Sequence, residues 1–246
     1  MGLTIHYKLS VAENLSSAVV RELASRTALN ARKIGCTEVS EVLRVESDPS
    51  LAPVFVRAGE EKDCCFGHVP AKRGWLVEVW PGEGCESATL GLCQYPRRAE
   101  YALRGRYGKV RTDYTGGWLL KGSCKTQYAS EHGMEHFVRC HRMIVSVLDF
   151  WRQLGATVEV SDEGEYWETR SEAKLRNTVN RYNGLVAAVA GAFKDAAGDT
   201  GQGHAVESPI FTRQDFEKLE AEGWREFGRQ LSRLRSKSKL LCNGER

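Results

Sequence analysis

Leu3-Thr4-Ile5-His6-Tyr7-Lys8-Leu9 opens the chain with an apolar residue at every second position. Successive strand side chains point to opposite faces, so the run predicts a half-buried strand with Leu3, Ile5, Tyr7 and Leu9 on one side. Residues 12–33 follow with Leu15, Val19 and Leu23 at helical spacing. Residues 37–46, rich in valine, read as a second strand. A β-α-β opening is the local topology these periods dictate.

Outward from that unit the pattern changes. Between about 47 and 74, prolines, glycines and charges replace any period, which predicts a long irregular insertion. Strands are expected again at 75–80, 88–94, 118–128 and 157–167. Ser130 can cap a helix reaching about residue 154, with Phe137, Cys140, Ile144, Val147, Leu148 and Trp151 on its apolar face. Thr169 and Glu172 form a capping box for a further helix. Phe211 and Phe216 flank Thr212 as a hydrophobic staple, opening a helical extension at about 212–240. The expectation is one α+β domain over 1–246, with a mixed or mainly antiparallel sheet and three to four helices. The order of elements permits an elaborated ferredoxin-like core.

Composition narrows the class. A hydrophobic fraction of 41% and a charged fraction of 27% suit a globular chain that buries a core without staples. The eight cysteines show no framework spacing. The first residues lack the pattern of a secretory leader, and no apolar run approaches the ~20 residues of a membrane span. A cytoplasmic protein with reduced thiols and no membrane partner is expected. Charge is segregated along the chain. Residues 95–125 hold eight cations against Glu100 and Asp113, a balance of about +6. Residues 159–172 hold six acids against Arg170, about −5.

Three groups of residues carry candidate chemistry. Arg97, Arg98, Arg104, Arg106 and Arg111 alternate with aromatic residues including Tyr107. Guanidinium groups neutralise phosphates and tyrosine rings stack on unpaired bases, a pairing suited to single-stranded nucleic acid or another polyanion. His132-Gly-Met-Glu135-His136 has the H-x-x-E-H spacing of inverted zinc peptidases. On one helix the two histidines would share a metal, Glu135 would activate its water, and Glu165 would supply a third ligand. Zn²⁺ suits that set and Mg²⁺ suits the carboxylates of 162–168. Cys124 with His141 or His136 would make a thiol nucleophile and its base. Cys64, Cys65 and His68 lie together in the irregular segment without zinc-finger spacing.

Three function classes stay open on these residues. The first is a nucleic-acid-interacting protein, with or without a processing activity. The second is a metal-assisted hydrolase. The third is a non-catalytic subunit that docks a protein partner through its polarised surface.

Overall fold

The computed structural model describes residues 3–11, 15–46, 52, 54–58, 65–103, 106–111, 117–199 and 209–242. Its contacts divide into two compact units, one spanning Thr4–Glu163 and the other combining Met1–Leu3 with Gly164–Arg246.

The first unit begins as its alternation dictates, with β1 (Thr4–Val11), α1 (Ser17–Lys33), β2 (Glu38–Val39) and β3 (Leu43–Val45). Ser16 caps α1 by accepting from the Val19 N–H at 3.3 Å. Further strands are β4 (Val54–Ala58), β5 (Cys65–Val69), β6 (Arg73–Trp80), β7 (Ala88–Gln94), β8 (Arg98–Leu103), β9 (Arg106–Arg111) and β10 (Trp118–Lys125). A 3-10 turn (Gln127–His132), α2 (Met134–Gln153) and β11 (Thr157–Asp162) complete the unit.

The main sheet runs β11-β1-β10-β7-β6-β2, with β3 also paired to β6, and every ladder in it is antiparallel. The fold is therefore α+β with an antiparallel sheet, as the sequence predicts. The central order β11-β1-β10-β7, antiparallel throughout, with α1 following β1 and α2 following β10, is that of the ferredoxin-like core the sequence permits, extended on one side by β6, β2 and β3. Two split crossovers build it, and the second carries the site. Both β10 and β11 are antiparallel to β1, so β10-α2-β11 straddles that strand.

That crossover positions the site. Lys125 pairs with Thr4 and Asp162 with Ile5, so the ends of β10 and β11 reach the same end of β1. Above them α2 buries Phe137, Ile144, Leu148 and Trp151, while α1 buries Val20, Leu23 and Ala28. Tyr7 ties three strands, its hydroxyl donating to the Thr89 carbonyl at 2.7 Å. A Cβ at Gly122, opposite Tyr7 on β10, would lie 2.6 Å from that ring. Glycine there is what lets the ring cross the strand.

Two local expectations shift. The 47–74 segment is not irregular throughout, since β4 and β5 form a hairpin within it, registered from Val54↔Val69 to Ala58↔Cys65. Val54 and Val56 carry the strand alternation, but flanking Pro, Gly and charge mask it in a sequence window. The helix expected from Ser130 is broken at Gly133, whose φ of 101° ends the 3-10 turn before α2 begins.

The second unit contains α3 (Tyr166–Thr169), α4 (Glu172–Asp199), a 3-10 turn (Pro209–Thr212) and α5 (Phe216–Cys242). Ser171, rather than Thr169, accepts from the Lys174 N–H at 3.3 Å and caps α4. The Thr169 hydroxyl instead donates to the Glu165 carbonyl at 2.5 Å and closes α3. α4 and α5 meet backbone to backbone, for a Cβ at Gly223 would fall 1.9 Å from the Gly184 carbonyl oxygen. The Phe211 and Phe216 rings lie edge-on at 5.1 Å, the staple contact expected from their spacing. No helix among the described residues is long and apolar enough to cross a membrane.

Candidate functional site

The β10-α2-β11 crossover gathers polar side chains around the start of α2. Thr126, just beyond β10, shares a hydrogen bond of 2.9 Å with His141 Nδ1. The other imidazole nitrogen, Nε2, lies 3.1 Å from Asp162 Oδ2, and both side chains are wholly buried. Asp162 accepts from Nε2–H, which leaves Nδ1 to accept from the threonine hydroxyl when the ring is neutral. The order hydroxyl-imidazole-carboxylate is that of a hydrolytic triad. Closed from solvent, this one meets no substrate; it bolts β10, α2 and β11 together.

Cys124 is fully buried, and its thiol donates to the Glu86 carbonyl at 3.1 Å. Burial, with the nearby Glu86 carboxylate, pushes the thiol above its ordinary range. Both ring nitrogens of His141 are occupied by Thr126 and Asp162. This arrangement disfavours a Cys124 thiolate with His141 as its base. Glu135 stands exposed in the first turn of α2, where a carboxylate suits the positive end of the helix dipole.

The H-x-x-E-H residues do not share a helix. His132 ends the 3-10 turn and His136 lies in α2, their rings edge-on with centroids 5.7 Å apart. An Arg139 guanidinium N–H donates to His136 Nδ1 at 2.9 Å, which assigns the ring proton to Nε2. That N–H faces the Glu83 carbonyl at 2.9 Å and the Cys140 sulfur at 3.5 Å. Glu165 belongs to the other unit, where it pairs with Lys174. Among the described residues, no three His, Cys, Asp or Glu side chains are placed to hold a metal ion.

Two thiols, unmarked by any sequence spacing, lie near His136. Cys140, on α2, donates its thiol to the Pro81 carbonyl at 3.6 Å, and Cys85 closes the β6–β7 turn that Pro81 begins, its N–H donating to the Gly82 carbonyl at 3.1 Å. Cys36 is pushed up to about 11 by burial and by the proximity of Cys140.

The basic segment forms a separate two-stranded ribbon from β8 and β9. Its register sets Arg98 opposite Arg111, Glu100 opposite Lys109, Ala102 opposite Tyr107 and Leu103 opposite Arg106. Arg97 and Arg98 are exposed. Lys109 and Glu100 pair at 3.3 Å, both well exposed. Arg104 lies outside the described residues, as does Cys64. Tyr95, at the head of the basic stretch, is a core residue whose hydroxyl donates to the Ala52 carbonyl at 2.9 Å. In the second unit, a groove of about 660 Å³ between α4 and α5 carries Arg181, Arg225 and Arg229 beside Glu222 and Glu226. Arg229 and Glu226 pair at 3.1 Å, so the groove mixes signs.

No protein-family model, curated protein or solved structure matches the chain.

Proposed function

We propose that the chain binds single-stranded nucleic acid through the β8–β9 ribbon. The observation that carries this reading is the cross-strand pairing of Arg98 with Arg111 beside exposed Arg97. Like charges directly opposite each other on a ladder destabilise it, and a phosphate between them reverses the sign of that contribution. The ribbon also carries Tyr101 and Tyr107, residue types on which unpaired bases stack. Binding rather than processing is the part supported, because the imidazole-carboxylate pair of the first unit is closed off and the histidines of the H-x-x-E-H run are not set on one helix.

A second reading, docking of a protein partner, draws on Trp224 and Phe227, half-exposed on α5 with rings edge-on at 6.0 Å. Exposed aromatic pairs are enriched at protein interfaces.

The two readings separate in a salt titration with single-stranded RNA and DNA. Each phosphate neutralised on a single strand contributes about −0.7 to the slope of log K against log salt. Engagement of three to five ribbon cations therefore predicts a slope of about −2 to −3.5. Absence of binding at low salt, or an affinity indifferent to ionic strength, removes the proposal.

A further inference from the structure

We propose that a single strand held at the β8–β9 ribbon continues onto Arg73, Arg44 and Arg21, whose guanidinium groups lie over tryptophan rings beside the ribbon's root. The inference rests on the nucleic-acid reading and lengthens its site. Arg44 on β3 and Trp75 on β6 are cross-strand partners, so they project from the same face of the sheet. Arg73, two residues before Trp75 on β6, shares that face. The Arg21 and Arg44 guanidinium carbons lie 5.3 and 5.9 Å from the centre of the Trp75 ring. That of Arg73 lies 5.5 Å from the centre of Trp118. Both rings are anchored at the start of α1. The Trp75 indole N–H donates to the Ser17 hydroxyl at 2.9 Å, and the Trp118 indole N–H donates to the Leu15 carbonyl at 2.9 Å.

What the arginines rest on decides what they bind. An aromatic face holds a guanidinium in place yet leaves its charge and its N–H edge available, whereas a carboxylate neutralises it. Among the described residues, neither Arg21 nor Arg73 pairs with a carboxylate; Arg73 donates through Nε to the Gln94 side-chain oxygen at 2.8 Å. Arg44 pairs with Glu46, but both side chains are largely exposed, and such a pair yields to a phosphate at little cost. Two cations over one indole repel each other, and a phosphate bridging them reverses the sign of that contribution. All three arginines are exposed. Trp118 is buried and Trp75 is half-buried, so the track offers phosphates a partner and bases none.

Arg73 also joins the track to the ribbon. It stands opposite Gln94, the last residue of β7, and β8 begins at Arg98. The four steps from Gln94 to Arg98 span at most about 14 Å. Between them Tyr95 is buried with its hydroxyl on the Ala52 carbonyl, so the ribbon leaves the sheet from a fixed point. The ligand is then a strand long enough to occupy both surfaces, and a short strand occupies the ribbon alone.

The test uses the full chain with single-stranded RNA of about 5 and about 15 nucleotides, which brackets the site sizes of single-strand-binding modules. Arginines are modified with phenylglyoxal and mapped by peptide mass. With the longer strand, Arg21 and Arg44 are expected to be protected together with Arg97 and Arg98, while Arg152 reacts as in the free chain. The slope of log K against log salt is expected to be steeper by about −2 for the longer strand, from three arginines at about −0.7 each. Arg21→Gln with Arg44→Gln is expected to weaken the longer strand about 25-fold at about 0.1 M salt and to leave the shorter one unchanged. Protection of Arg97 and Arg98 while Arg21 and Arg44 react freely overturns this inference and spares the ribbon. Free reaction at Arg97 and Arg98 overturns the ribbon reading, and this inference with it. The protection map needs no variant to fold.

Discussion

Asp162→Ala is expected to destabilise the first unit by about 3–5 kcal/mol, the cost of leaving one partner of a buried, charge-capable pair alone. His141 and Asp162 are both fully enclosed and meet at 3.1 Å, so no water replaces the lost carboxylate without opening the core. The stranded imidazole also keeps its bond to Thr126, which fixes its position and prevents escape towards solvent. Asp162→Asn keeps an oxygen that can accept from His141 Nε2–H, and its loss is expected to be well below that of alanine. Urea unfolding followed by tryptophan fluorescence separates the two, with a lower midpoint at unchanged slope as the expected form. A change under about 1 kcal/mol for Asp162→Ala would mean the pair is not made, since even a neutral buried hydrogen bond is worth that much.

The double reversal Arg98→Glu with Arg111→Glu is expected to weaken binding of a single-stranded oligonucleotide by at least about 25-fold at 0.1 M salt. The figure follows from two lost phosphate contacts at about −0.7 each, counted over one decade of salt. The variant has a built-in control. Arg98 and Arg111 are cross-strand partners, so reversing both leaves like charges opposite each other and the ribbon's internal repulsion nearly unchanged. Lost affinity then reports the ligand rather than the hairpin. Arg26→Glu with Arg152→Glu, on α1 and α2, makes the same change of four in net charge outside the ribbon and is the charge-matched comparison. Equal losses in both variants would reduce the effect to net charge.

The sequence speaks plainly where the period is local and uninterrupted. Alternation in Leu3 to Leu9 and the apolar face of α2 each require only neighbours in the chain, and both fold as read. Gly133 shows the limit: Ser130 looks like a cap, but the glycine's left-handed backbone divides turn from helix and separates His132 from His136. His141 and Asp162 were readable as a neighbourhood but not as a pair. Their meeting depends on β11 adding to β1 with Asp162 opposite Ile5, a long-range register that no window contains. The surroundings of the two thiols were less legible still. Cys85 lies on a turn and Cys140 on a helix far along the chain, and the turn meets that helix at Pro81, whose carbonyl is 3.6 Å from the Cys140 sulfur. Glu165 went the other way, sequence-near to Asp162 yet part of a different compact unit.

Photocrosslinking tests the central claim most directly, because it reads where a strand lies rather than whether one binds. A single-stranded RNA carrying thiouridine, irradiated with the full chain at low salt, is expected to attach within 97–111, with adducts suppressed by the double arginine reversal. Adducts mapping instead to the α4–α5 groove, or spread evenly over the surface, would contradict the account.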